Sequence, residues 1–544
     1  MPTPSFSTST LRGRRQLHLS KTECTLFLKD IQYLPIEEAD SSGGEVKHHD
    51  HDHDHQKTDF HSSRTEEKWS CEFSPAQAKN LGVDTVEIEG IDEKFLQSHG
   101  AKSGRSTLFI SEGTIEGTEK IIVPSTASVE VHELSKDEIN DRRGQRQRRQ
   151  QQHRNLATPS GRLRTLVVRV IAKDGTEPTA SIQKMRADVF EDKLCLKSQY
   201  DACSHGQLKI EPYQGKTQTG RSISGGVVDV KINSNPVNGN KQTFETNAKA
   251  KAAELYGDLT QFDLILFCIP PGTGDWLAYA YVNRLDSYYN DNWCSSISTQ
   301  VHEVGHNLGL AHSGEGFITY GDQSGMMGYS YDVDDAPKMC FNAAKSYELG
   351  WYTKQSKSVD PLTQILAKNW ANSKSFVMNG VDDYQFGRNG STNNLISLRL
   401  KQQNSADDYY IGFNRKAGMN SGTVEDANKV TIIRKTGGPN EYGQSWKVSK
   451  LSTNDNTSYT IKNFDNSSFN VNVKLVSIAG RDAKIKINVT NSVSCSKVKN
   501  RNLTYKNKKS KTCNWVSKKK RRRCSKTWRN ENLSEWCPKT CGSC

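Results

Sequence analysis

The segment His302-Glu303-Val304-Gly305-His306-Asn307-Leu308-Gly309-Leu310-Ala311-His312 constrains this chain more than any other stretch. His302 and His306 are four residues apart, so on a helix their imidazoles share one face, one turn apart. Two imidazoles placed that way reach a single zinc ion, and Glu303, beside the first, can address a water on that ion. Gly309 ends or sharply turns the helix, because glycine reaches positive φ cheaply. The chain then returns and brings in His312 as a third ligand. Three protein ligands leave the fourth position for water, the arrangement of a catalytic rather than a structural site. Zinc lowers the pKa of bound water to about 7 and polarises a carbonyl. Glu303 takes the water proton and returns it to the leaving amine, so no covalent intermediate is needed. Five fixed positions, three of them scarce histidines, arise by chance on the order of once in 10⁴ such chains. Satisfied histidines on a polar helix are the ordinary alternative. A degenerate site would have lost Glu303 or a ligand, and none is lost.

Downstream, Ser324-Gly325-Met326-Met327-Gly328-Tyr329 resembles the Met-turn beneath the zinc of metzincin peptidases. The usual Ser-x-Met-x-Tyr is met only in halves: Ser324 is correctly spaced from Met326, and Tyr329 from Met327. Met327 is the favoured turn methionine, with Met326 left open. Tyr329 then falls where some metzincins place a tyrosine that stabilises the oxyanion or adds a ligand; ordinary packing is the other reading. Tyr320-Gly321-Asp322, Phe341-Asn342-Ala343 and Leu349-Gly350-Trp351 complete a resemblance to the gametolysin family of metzincins, known from algae and their relatives, over roughly residues 160–355. The resemblance implies an extracellular zinc endopeptidase acting on matrix or cell-wall glycoproteins, made with a leader that must be removed. Cys24 and Cys71 are candidate thiolates for blocking the zinc, but neither sits in a cysteine-switch motif. Cys195 with Cys203, and Cys294 with Cys340, are candidate pairs for geometry to test.

At 544 residues several domains are expected. Residues 1–155 read as a leader or prodomain, partly disordered, with short apolar patches at 107–110 and 120–123. The run His48-His49-Asp50-His51-Asp52-His53-Asp54-His55 is compositionally a divalent-metal binder, or equally a solvated linker. Arg146-Gln147-Arg148-Arg149 has the spacing cut by furin-like convertases, in a polar loop suited to nicking; a nucleic-acid patch is the competing reading. Strands at 165–171, 226–232 and 262–269 and a helix at 247–256 fit an α/β catalytic domain, which the resemblance makes a metzincin zinc peptidase domain over 156–355. Short alternating strands at 395–400, 409–413, 429–434, 469–476 and 483–489 predict a β-rich, sandwich-like domain over 356–490. Sequons at Asn389, Asn456, Asn466, Asn488, Asn502 and Asn532 cluster in this half, as in an exposed, secreted region.

Six of thirteen cysteines crowd the last fifty residues. So dense a cluster in so short a stretch reads as a disulfide scaffold made in an oxidising compartment. The ending Cys537-Pro538-Lys539-Thr540-Cys541-Gly542-Ser543-Cys544 resembles a ShK-toxin-type (ShKT) module over 495–544. That resemblance implies the pairs Cys495–Cys544, Cys513–Cys537 and Cys524–Cys541; sequence alone permits fifteen connectivities. Lys518-Lys519-Lys520-Arg521-Arg522-Arg523, in a chain of formal net charge +13, fits attachment to acidic polysaccharide, with a solvated loop as the alternative. A nuclear-localisation reading clashes with the disulfides, and no nucleic-acid partner is expected. The first eighteen residues lack an apolar h-region, so a signal peptide is not evident, yet the cysteines favour secretion. The longest apolar run is strand-length, so no transmembrane segment is expected. The sequence therefore predicts a multidomain, secreted zinc endopeptidase with protein substrates. The rivals are an inactive protease-like scaffold presenting the ShKT module, and a metal-handling protein using the His/Asp run.

Overall fold

The computed structural model describes residues 5–11, 14–33, 65–134, 159–366 without 238 and 332, 372–384, 394–491, and 500–541 without 525 and 530. They divide into two compact units, Met1–His312 with Phe317–Lys338, and Ser313–Gly316 with Met339–Cys544.

The strands of the first unit are β1 (Ser5–Leu11), β2 (Arg14–Tyr33), β3 (Thr65–Glu72), β4 (Thr85–Glu89), β5 (Ser106–Glu116), β6 (Lys120–Ile122), β7 (Val129–Glu133), β8 (Gly161–Ile171) and β9 (Leu208–Pro212). A small ribbon, β10 (Gly215–Lys216) and β11 (Ser222–Ile223), precedes β12 (Val227–Lys231), β13 (Leu264–Ile269), β14 (Trp276–Tyr281) and β15 (Asp286–Asn290). Apart from the ribbon they form one thirteen-stranded sheet in the order β12-β8-β13-β15-β14-β2-β3-β4-β6-β5-β7, with β1 on β2 and β9 on β8. The strands β12, β8, β13 and β15 run parallel. Every residue of β13, Leu-Ile-Leu-Phe-Cys-Ile, is buried, as expected for a central parallel strand covered on both faces.

One face is covered by helix α1 (Lys241–Tyr256). It places Phe244, Ala248, Ala252 and Tyr256, spaced by four, against Leu166, Val168, Val170, Ile265 and Phe267. Each large apolar side chain so buried contributes about 1.5–3 kcal/mol. The sequence expectation started this helix at 247, six residues late. Helix α2 (Ile297–Asn307) follows β15 and carries the histidine segment.

The strand β2 was not anticipated. Its twenty residues pair with β14, β3 and β5. Leu17, Leu19, Leu26, Leu28 and Ile31 are buried along it. Successive side chains of a strand point to opposite faces. Lys29 accordingly faces α1, where Nζ donates to Gln242 Oε1 at 2.5 Å and meets Glu245 at 3.2 Å and Glu87 at 3.1 Å. Asp30 points the other way, toward the histidines.

In the second unit, β16 (Ser313–Glu315), β17 (Ser356–Val359), β18 (Ser373–Met378), β19 (Asn394–Leu395), β20 (Ser397–Leu400), β21 (Asp407–Asn414), β22 (Lys429–Thr436), β23 (Ser445–Leu451), β24 (Ser458–Ile461), β25 (Phe469–Ala479) and β26 (Asp482–Asn491) form two sheets. Their orders are β16-β23-β22-β21-β20-β17 and β19-β18-β26-β25-β24. The two share one core, with Val359, Leu398, Ile411 and Ile432 from one sheet and Phe376, Val473, Ile485 and Ile487 from the other. A smaller core near the C-terminus packs Leu503, Val516 and Leu533 around the disulfides Cys513–Cys537 and Cys524–Cys541. Cys495 and Cys544 lie outside the described residues. The chain is thus β-rich, with several sheets, few helices and several disulfides among its described residues.

Two suggested cysteine pairs are corrected. Cys195 is a buried free thiol, so it does not pair with Cys203. Cys294 pairs with Cys268, not Cys340. The parallel neighbours β13 and β15 bring the turn after β15 back beside Cys268, at a Cα separation of 5.6 Å.

Candidate metal centre

Helix α2 is fixed at both ends. Ser296 is its N-cap, accepting from the Thr299 N–H. The Cys268–Cys294 disulfide ties its entry to β13, and Gln300 Nε2 donates to Cys294 O at 2.6 Å. At the exit Gly309 adopts φ +94°. Its N–H donates to His306 O at 2.8 Å, and the Leu310 N–H to Gly305 O at 3.0 Å, the pair of bonds with which a left-handed residue closes a helix. Asn307 Nδ2 donates to Tyr281 O at 3.2 Å and Asp286 O at 2.9 Å, which fastens the last turn to β14 and β15.

All three histidines are buried. His302 Nδ1 lies 3.0 Å from Met326 O, and His306 Nδ1 lies 2.8 Å from Leu310 O. A carbonyl only accepts, so each Nδ1 carries the proton and each Nε2 the lone pair. His306 Nε2 and His312 Nε2 stand 3.1 Å apart, and one ring nitrogen from each histidine lies within 4.8 Å of the others. Two nitrogens on one four-coordinate zinc, at about 2.0–2.1 Å each, stand about 3.3 Å apart. The triad therefore fits one metal ion, and such crowding of lone pairs in a buried pocket calls for a cation or a proton.

Glu303 is buried beside the triad, and its Oε2 accepts no hydrogen bond among the described residues. Burial first, and the Asp30 charge second, push its carboxyl well above the usual carboxylate range. It binds a proton more readily than a solvated glutamate.

The adjacent methionines act through different atoms. Met326 supplies the carbonyl that orients His302. The Met327 side chain is buried against α2, its Sδ 2.4 Å from where a Cβ on Gly305 would stand. Tyr329 is half-buried and meets Tyr331 edge-on, 5.6 Å between ring centres.

Three residues given no site role by the sequence lie here. The Tyr320 ring stands 4.1 Å from that of His312 and 5.6 Å from that of His302. Asp30 Oδ2 lies 3.0 Å from His312 Nε2 and 3.8 Å from His306 Nε2. Glu67, opposite Asp30 on β3, joins it and His312 in a second cluster whose ligand atoms lie within 4.8 Å. Burial, then the Glu67 charge, raise the Asp30 carboxyl well above its usual range. No local signal marks either acid, because each is more than 230 positions from the histidines.

Cys24 and Cys71 form a disulfide, so neither offers a thiolate. The His48–His55 run, Arg146–Arg149 and Asn389 lie outside the described residues. Asn456, Asn466, Asn502 and Asn532 are exposed and Asn488 is half-buried. In the basic run Lys518, Lys519 and Arg522 are exposed, while the Arg523 guanidinium stacks 3.9 Å over Trp515. Among the described residues no helix is long and apolar enough to cross a membrane.

The family model for gametolysin peptidase M11 matches residues 164–447, just over half of the chain. A stretch of 94 residues is 36% identical to autolysin of Chlamydomonas reinhardtii. That stretch is 16% of this chain and 14% of autolysin, so the chain matches about a seventh of that relative's length. Two crystal structures of wild-type OgpA from Akkermansia muciniphila align over 63% and 62% of this chain and 94% and 96% of theirs. Their TM-score of 0.27, at 10% and 12% identity, carries no argument about fold.

Proposed function

The chain belongs to the gametolysin peptidase M11 family, and from that metallopeptidase premise we propose that it is a secreted zinc endopeptidase of the metzincin kind. The observation that carries the reading is the convergence of His302, His306 and His312, two of them oriented through Nδ1 by backbone carbonyls. Those three residues would hold the metal. When bound, zinc would polarise the scissile carbonyl and lower the pKa of a water. Glu303 accepts the proton of the attacking water and delivers it to the leaving nitrogen. The Met326 and Leu310 carbonyls keep the imidazoles in the tautomer that presents Nε2. Met327 is the turn methionine, supported by its Sδ lying under Gly305. Tyr329 stabilises the oxyanion.

Residues 1–155 form a leader, 156–355 the peptidase domain, 356–490 a β-rich domain and 495–544 a ShKT-like module closed by a third pair, Cys495–Cys544. Extracellular matrix or cell-wall glycoproteins are the substrates, supported by the family and by several disulfides, which belong to an oxidising compartment. Acidic polysaccharide binds the basic run, supported by the exposure of Lys518, Lys519 and Arg522. Incubating the secreted chain with protein substrates, with and without a chelator, tests the reading. N-terminal sequencing of the same sample shows whether the leader is gone. A processed sample with no chelator-sensitive cleavage overturns it.

A further inference from the structure

We propose that Asp30 is a fourth ligand to the metal held by His302, His306 and His312, and that β2 thereby keeps the site closed until this strand is displaced. The proposal rests on the metal-peptidase reading above and adds a residue to it.

The geometry comes from β2 itself. Asp30 pairs with Ala280 of β14 on one side and Glu67 of β3 on the other, so its backbone is held in the middle of the sheet. Lys29, its neighbour, is anchored on the α1 face by Gln242, Glu245 and Glu87. Strand alternation then leaves Asp30 no choice but the face carrying the histidines. Its carboxylate is buried, and neither oxygen receives a hydrogen bond among the described residues. A buried carboxylate is costly unless a cation or a proton compensates it. Here Oδ2 sits 3.0 Å from His312 Nε2, beside the nitrogens that would hold the metal. Glu67, across the strand pair, adds negative charge to the same place.

Three imidazoles and one carboxylate make four protein ligands, the count of a closed site rather than an open catalytic one. β2 also occupies the outer edge of β14, an edge on which an extended peptide would otherwise add to the sheet. The same strand thus fills the water position and covers the adjacent edge. Cys24 and Cys71, being joined to each other, do not supply that fourth ligand.

The test uses the full chain as wild type, Asp30→Ala, Asp30→Asn and His306→Ala. Each is loaded with cobalt for its visible spectrum and with zinc for competition against a chelator. Both Asp30 variants are expected to change the cobalt spectrum and to weaken zinc binding at least tenfold. Cleavage of a denatured protein substrate by the unprocessed Asp30→Ala chain is expected to rise at least tenfold. His306→Ala is expected to lose zinc in any case. If it retains zinc as wild type does, the metal-centre reading itself fails. If it loses zinc while both Asp30 variants keep the wild-type spectrum and affinity, only the Asp30 proposal fails, and Asp30 is an ion-pair partner of His312. The near-isosteric Asp30→Asn keeps the question answerable should Asp30→Ala not fold.

Discussion

Met327 Sδ fills the space beside Gly305, on the turn of α2 between His302 and His306, so closely that a Cβ there would approach it to 2.4 Å. In most helices Gly→Ala gains about 1 kcal/mol. Here Gly305→Ala is expected to lose about 1–3 kcal/mol, because an added methyl forces a packed side chain to move. Chemical denaturation measures the loss. In the Met327→Ala background the same change is expected to cost less, as coupled neighbours are non-additive. Equal costs in both backgrounds would show that the contact does not matter.

In the proposed mechanism Glu303 transfers the proton, and it is not among the residues that would hold the metal. Glu303→Gln is therefore expected to cut peptidase turnover by roughly 10²–10⁴, the span typical of a lost general base. Zinc affinity, read by chelator competition, is expected to stay within a few-fold of wild type. A variant that loses metal and activity together would make Glu303 a structural residue.

Much of the candidate metal centre was legible in the sequence, and for a physical reason. His302, Glu303, His306, Gly309 and His312 lie within eleven positions, so helix periodicity and one left-handed turn place them. The strands β8, β12 and β13 were visible too, because clusters of β-branched and apolar residues between turn signals mark strands. Asp30 and the strand that carries it were not. The β2 sequence mixes Lys, Asp, Gln and Thr with leucines, and only its partners β14, β3 and β5 decide which of them are buried. The choice between Met326 and Met327 was open for a similar reason. It turns on which atom faces the helix, and spacing does not encode that.

The Cys268–Cys294 bridge closes a loop of 26 residues just before α2. Cross-linking a loop of that length restricts the unfolded chain by about 3 kcal/mol. Replacing both cysteines by serine is expected to lower the unfolding free energy by that order. It is also expected to raise the rate of zinc loss to a chelator, since the entry to α2 is no longer tied to β13. An unchanged rate of metal loss would confine the bridge to a general stabilising role.

The thirteen-stranded sheet is expected to be acid-sensitive through Glu87 on β4. Burial alone would raise this carboxyl, but Lys29, Lys68 and Lys241 outweigh burial and hold it at about 2, against an ordinary 4.5. The pair with Lys29 is nearly inaccessible, with the Glu87 side chain 18% exposed and Lys29 fully buried. A carboxyl depressed in the folded state stabilises it above the unfolded pKa and loses that contribution as pH falls through the folded one. Between about pH 4.5 and 2 the unfolded chain binds the extra proton, so stability falls with pH, by up to about 3 kcal/mol from this group. Urea melts at pH 6 and pH 3 measure the fall. Glu87→Gln has no charge to lose, so its stability is expected to depend less on pH over the same interval. A pH slope identical to wild type would show that Glu87 is not the group responsible.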